Sequence, residues 1–133
     1  MNNIILDTNI LIDFYITNDF NENCLEALQG KKLNIYQGVV DELFSAIKNR
    51  YGSKSSYTIA KRLLTDPLYT VIEADSEQKL KALELTLFHQ AEDSKKNISL
   101  VDAIQIVLAQ ELDYTLYTRD ERMTLFDNVV KPY

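Results

Sequence analysis

The run Ile4-Ile5-Leu6-Asp7 constrains the fold of this chain more than any other stretch. Three consecutive aliphatics with no polar alternation read as a strand buried on both faces, the mark of a parallel sheet covered by helices above and below. The run stops at a carboxylate; Thr8-Asn9 and a second apolar stretch, Ile10-Leu11-Ile12, follow. Asp7 is therefore expected at the strand's C-terminal end, where open parallel sheets place their ligands. Asp and Asn also favour turns and helix caps, so position alone does not fix a role.

The rest of the chain repeats the theme. Strand-like runs at Ile4–Leu6, Leu33–Tyr36, Tyr69–Ile72, Thr115–Tyr117 and Asn128–Val130 alternate with helical patterns at Ile10–Tyr15, Glu22–Leu28, Val39–Lys48, Tyr57–Leu64, Glu77–Gln90 and Leu100–Glu111. Such alternation predicts an α/β fold: a central parallel sheet of about five strands flanked by helices on both faces. In the last helix Val101, Ile104, Val107, Leu108 and Leu112 recur at helical spacing, and Leu80, Leu83, Leu87 and Ala91 do so in the helix before it. Both stripes are expected to be buried. The polar stretches 50–56 and 92–97 are expected to be loops, and both are too short to link domains. One domain over residues 1–133 is the expectation.

At 133 residues, 46% apolar, with 3 Gly and 2 Pro, the chain can bury a continuous core. It shows no membrane-spanning run and no leader pattern, and the single Cys24 has no intrachain disulfide partner, which together favour the cytoplasm. A net charge of −6 argues against coating nucleic acid with a general basic surface. It leaves room for an enzyme that grips a phosphodiester through metal ions, where acids concentrate in the site and a basic rim touches the backbone.

Four carboxylates occupy equivalent places in the alternation. Asp7 follows the first strand, Glu42 is expected in the first turn of the helix after the second, Asp102 lies in the first turn of the helix opened by Ser99, and Asp120 follows Thr115-Leu116-Tyr117. Each has an ordinary explanation. Ser99-x-x-Asp102 has the form of a capping box, Asp41 and Glu42 suit a helix dipole, Asp120 can cap the turn before Met123, and Asp7 can make a turn. Jointly they say more. Crossover connections of one hand bring strand ends and helix starts to one edge of the sheet, so all four acids point toward one crevice. Two carboxylates about 4 Å apart repel by about 4 kcal/mol at an effective dielectric near 20. Without a counter-charge such a cluster must protonate or splay. A hard divalent cation, Mg²⁺ or Mn²⁺, removes that cost, and the absence of His and Cys from the set speaks against zinc. Such a cation suits phosphodiester hydrolysis. Thr8, Asn9, Ser99 and Thr118 are short polar neighbours able to orient water or the carboxylates.

In the order Asp7-Thr8-Asn9, Glu42-Leu43, Ser99-x-x-Asp102-Ala103 and Thr118-x-Asp120, the chain resembles the PIN domain family, most of all its VapC-type toxin ribonucleases. The likeness spans nearly the whole chain. It implies Asp7, Glu42 (rather than Asp41), Asp102 and Asp120 as catalytic and metal-binding residues, and endonucleolytic cleavage of RNA. It also implies a homodimer and a cognate antitoxin whose tail blocks the acidic crevice.

Other residues carry weaker signals. Lys48, Arg50, Lys54, Lys61 and Arg62 cluster around one polar stretch and form a candidate RNA-backbone rim, with an ordinary solvated face as the alternative. Tyr51 and Tyr57 flank that stretch and can stack on bases. Arg119 can reach phosphate or pair with a carboxylate. Asp13 is expected to face solvent or an arginine, and His89 to lie off its helix's apolar stripe. Three competing functions remain: an RNA-processing nuclease of the same family that is not a toxin, an inactive PIN-like binding module, and a phosphatase with Asp7 as nucleophile. The last normally carries a second Asp two residues on, where this chain has Asn9.

Overall fold

The computed structural model of the chain describes residues 2–15, 26–92 and 98–133, with the side chains of 88–92 outside the description. Its centre is the strand the first apolar run foretold. Strand β1 (Asn3–Leu6) buries Ile4, Ile5 and Leu6, each contributing about 1.5–3 kcal/mol of transfer free energy. Helix α1 (Thr8–Tyr15) follows at once, then β2 (Lys32–Tyr36), α2 (Gln37–Tyr51), α3 (Ser53–Thr65), β3 (Tyr69–Ile72), α4 (Ser76–Glu92), α5 (Leu100–Leu112), β4 (Thr115–Tyr117), a 3₁₀ turn at Met123–Leu125 and β5 (Val129–Val130). The five strands form one wholly parallel sheet in the order β3-β2-β1-β4-β5. Strand order therefore reverses at β1, and the crevice between the ends of β1 and β4 is the topological switch point. The backbone N–H of Asp7 donates to Tyr117 O at 3.1 Å, which closes that junction.

Helix α5 is the inner helix. Ala103 through Ala109 are buried without interruption, so every face of its middle turns meets protein. Leu112, expected on the buried stripe, is exposed at the helix end. The contrast with α4 is sharp. Leu80, Leu83 and Leu87 are 58%, 46% and 69% exposed, and the helix instead buries Ala82 and half-buries Leu85. The leucine stripe does share one face, but that face looks outward; Ala91 falls outside the described side chains.

The stretch 50–56 is not a loop. Helix α2 runs to Tyr51 and α3 starts at Ser53, with Gly52 alone between them at φ +91°, a conformation only glycine adopts without strain. The buried Ser56 hydroxyl donates to Phe44 O at 2.6 Å and fastens the two helices together. Of the expected helix Glu22–Leu28, residues 26–28 are helical; the remainder, with Cys24, lies outside the described residues, as do residues 93–97 of the second expected loop. Among the described residues no helix is long and apolar enough to cross a membrane.

Candidate active site

Asp7 leaves β1 directly into α1, and its backbone carbonyl accepts from Ile10 and Leu11 in the first helical turn. The side chain is only 4% exposed and is held by four donors among the described residues. Oδ1 accepts from Thr8 N at 2.8 Å and Gln105 Nε2 at 2.9 Å; Oδ2 accepts from Thr118 Oγ1 at 2.8 Å and Asn9 Nδ2 at 3.3 Å. All four donors are neutral. They fix the carboxylate's orientation and leave its charge uncompensated.

Thr118, fully buried, links the mouths of the two central strands. Its hydroxyl donates to Asp7 and accepts from Asn9 Nδ2 at 3.0 Å and Asp120 N at 3.0 Å. Asn9 Oδ1 in turn accepts from Arg119 N at 3.0 Å. The Thr8 hydroxyl is buried with no partner among the described residues.

Asp102 stands at the third position of α5 in a complete capping box. Ser99 Oγ accepts from Asp102 N at 3.1 Å, and Asp102 Oδ2 accepts from Ser99 N at 3.3 Å. The ordinary explanation is thus correct for Asp102, yet incomplete. Burial first, and then the charge of Asp7, push its pKa up against the lowering effect of the Ser99 bonds.

Glu42 corrects a detail of the sequence reading. Because α2 begins at Gln37 with no intervening loop, Glu42 lies in the second turn, and no acid occupies the first. The helix-dipole explanation for Asp41 and Glu42 therefore loses its basis, since that effect fades beyond the first turn. Glu42's side chain remains exposed overall, but partial burial, then Asp7, then Asp102 raise its pKa. Asp41, by contrast, accepts from Gln37 Nε2 at 3.3 Å and lines the groove between α2 and α3 with Val40, Phe44 and Tyr57. Glu42 senses the acidic crevice.

Asp120 differs. Arg122 grips it with Nε on Oδ1 at 3.0 Å and Nη2 on Oδ2 at 2.8 Å, and its own backbone N–H adds a bond to Oδ1 at 3.0 Å. These bonds hold its pKa below the usual carboxylate range. Arg119 takes neither a phosphate-ready pose nor a partner from the four acids. Its Nε and Nη2 clamp Asp13 at 2.5 and 2.8 Å, while Tyr133 donates to the same carboxylate at 2.7 Å. Asp13 thus faces an arginine, buried to 5% exposure. Lys48 and Arg50 end α2, Lys54 begins α3, and all three are exposed around Gly52 with Tyr51 and Tyr57; Lys61 and Arg62 are exposed farther along α3. The side chain of His89 lies outside the description.

The mutual influence among Asp7, Glu42, Asp102 and Asp120 puts them in one electrostatic neighbourhood. Among the described residues no three of them already converge at ion-binding distance. The donor set, carboxylate oxygens alone, fits a hard divalent cation. Gln105 and Arg122 were not among the sequence candidates. A lone amide inside Ala103-Ile104-Gln105-Ile106-Val107 is the signal that could have found the first.

The PIN domain model matches residues 4–131. The VapC ribonuclease of Archaeoglobus fulgidus is 27% identical over 128 residues, covering 91% of this chain and 79% of that protein. Among solved structures, Mycobacterium tuberculosis VapC20, a Sarcin-Ricin loop cleaving toxin, superposes with a TM-score of 0.76 at 16% identity over 95% of this chain and 98% of that one. FitAcB from Neisseria gonorrhoeae gives 0.73 at 20% identity with 97% of both chains covered, and a toxin-antitoxin complex from Klebsiella pneumoniae gives 0.69 at 20% with 98% of both. These structures share the fold, and the match of the family model across nearly the whole chain decides the affiliation: the chain belongs to the PIN domain family.

Proposed function

We propose that the chain is a divalent-metal-dependent endoribonuclease and the toxin of a toxin–antitoxin pair. One observation carries the reading. Among the described residues Asp7 is held at the switch point by neutral donors only, and burial first, then its charge, raise the pKa of Glu42 and Asp102. Such a set of oxygens has electrostatic reason to take up a cation. Asp7, Glu42 and Asp102 would hold it, and Asp120 would join on release from Arg122. A bound Mg²⁺ or Mn²⁺ supplies charge neutralisation for the phosphodiester and activation of water. Thr118 and Asn9 keep Asp7 oriented and couple it to the Asp120 turn. The exposed Lys48, Arg50 and Lys54 lie on the α2–α3 hairpin as a rim for the RNA backbone.

The toxin assignment draws on two of the named structures, one a Sarcin-Ricin loop cleaving toxin and one a toxin-antitoxin complex. The groove between α2 and α3, lined by Val40, Phe44, Tyr57 and Leu64, offers an antitoxin segment an apolar seat. The outward leucines of α4 offer a second copy an apolar surface. The activity is tested by incubating purified protein with RNA and Mg²⁺ or Mn²⁺. Wild type should cut and Asp7→Asn should not; equal cutting by the two would sink the assignment.

A further inference from the structure

We infer that Gln105 is a positioning residue that ties Asp7 to the helix bearing Asp102; the inference rests on the reading of Asp7 as a cation ligand. Gln105 sits in the middle of α5, fully buried among Ala103, Ile104, Ile106 and Val107. Its Nε2 donates to Asp7 Oδ1 at 2.9 Å. An ionised carboxylate only accepts, so the nitrogen end of the amide must face Asp7. Oε1 is thereby turned away, and it is buried without a partner among the described residues.

That arrangement is costly as packing. A buried carbonyl with no donor loses its hydration and gains nothing in return, so an aliphatic of the same size would suit the fold better. What the amide adds is one neutral donor on Asp7. Neutrality matters, because a lysine or arginine there would cancel the charge that a cation needs. Position matters as well. The other three donors to Asp7 come from Thr8, Asn9 and Thr118, all at the strand mouths. Gln105 alone reaches Asp7 from α5, and Asp102 lies three residues earlier, one turn away on that same helix. The Gln105–Asp7 bond therefore ties the Asp7 carboxylate to the helix that carries Asp102. Bonds that orient a ligand typically govern metal affinity by about 10–100-fold.

The test is Gln105→Met in the full chain, since methionine is unbranched, of similar length and carries no donor. Mn²⁺ binding is measured by calorimetry, RNA cleavage by kcat and KM, and metal-free melting by circular dichroism. Mn²⁺ affinity should fall by about 10-fold or more, with kcat reduced and KM for RNA little changed. Metal-free melting should be unchanged or higher. Lower melting with full metal affinity in the folded protein would mark a packing role and overturn the inference. If the methionine variant does not fold, Gln105→Leu takes its place. Wild type that binds and cuts with a variant indistinguishable from it refutes the positioning role alone. Wild type that neither binds Mn²⁺ nor cuts RNA refutes both this role and the proposed function.

Discussion

Asp7 and Asp120 close the two central strands, and the protein treats their charges in opposite ways. Asp7 is buried and receives four neutral hydrogen bonds, so it is fixed in place with its charge intact. Asp120 is gripped by the Arg122 guanidinium, so its charge is already matched within the chain. The difference separates two jobs. In the proposed metal site, a carboxylate held by amides and a hydroxyl would take up a cation directly, whereas one held by arginine would exchange partners first. The shared Thr118 hydroxyl bridges the two, accepting from Asp120 N while donating to Asp7.

Removing the charge at Asp7 is the strongest way to test this contrast. Asp7→Asn should lower RNA cleavage by more than the ~10–100-fold typical of residues that only orient a ligand. Its circular dichroism spectrum should match wild type, and Mn²⁺ should no longer raise its melting temperature. The equivalent change at Asp120 should cost less, because that acid begins in an ion pair. Equal losses at both positions would erase the distinction.

The next largest effect concerns the loop that carries Asp120. Arg119 covers the buried Asp13, so Arg119→Met leaves that carboxylate with the Tyr133 hydroxyl as its donor among the described residues. Loss of a charge-assisted bond to a buried acid costs about 1.5–3 kcal/mol. Urea unfolding should register that loss. A midpoint equal to wild type would mean that the Asp13 clamp contributes nothing to holding the turn.

These contrasts were unequally legible in the sequence. The strand at Ile4–Leu6, the parallel sheet and the Ser99–Asp102 capping box follow from local pattern, because burial on two faces and reciprocal capping each need particular residues at fixed spacing. The outward turn of Leu80, Leu83 and Leu87 could not be read, since periodicity defines a face without saying what covers it. The α2–α3 junction was misread because Gly52, with small polar neighbours, looks like a loop whether one residue or seven separate the helices. In the site, the four acids stood out by type and order, while the partners that divide Asp7 from Asp120 did not. Gln105 is 98 residues from Asp7, and Arg122 looks like any surface arginine until its fork meets Asp120.

Acidity gives a smaller effect with a definite sign. Glu42 and Asp102 have folded-state pKa values above their ordinary 4.5 and 3.8, so the stability they contribute is fully present below those ordinary values and is lost as pH rises through the raised ones. Metal-free protein should therefore melt higher at mildly acidic pH than at neutrality. Asp120, whose pKa is lowered, contributes in the opposite sense, and its share is lost as pH falls through its depressed value. The gain should thus be confined to the window between neutrality and about pH 4.5. Glu42→Gln should flatten the profile and stabilise the metal-free protein by less than about 1 kcal/mol, because solvent screens an exposed group. A profile that rises toward neutral pH without metal would contradict the like-charge picture.

Arg122→Ala is the mildest change and the most direct probe of the Asp120 side. The pair is partly exposed, so its loss should cost under about 1 kcal/mol in urea unfolding. Freed from the guanidinium, Asp120 adds a full negative charge to a neighbourhood that already raises the pKa of Asp102. Two consequences follow from that single added charge. The metal-free protein should become more sensitive to neutral pH, and Mn²⁺ should bind more tightly by calorimetry, because the cation no longer competes with arginine. Weaker Mn²⁺ binding in Arg122→Ala would mean that Arg122 serves the site by holding Asp120 in place rather than by withholding it, and the two strand-end acids would then share one role.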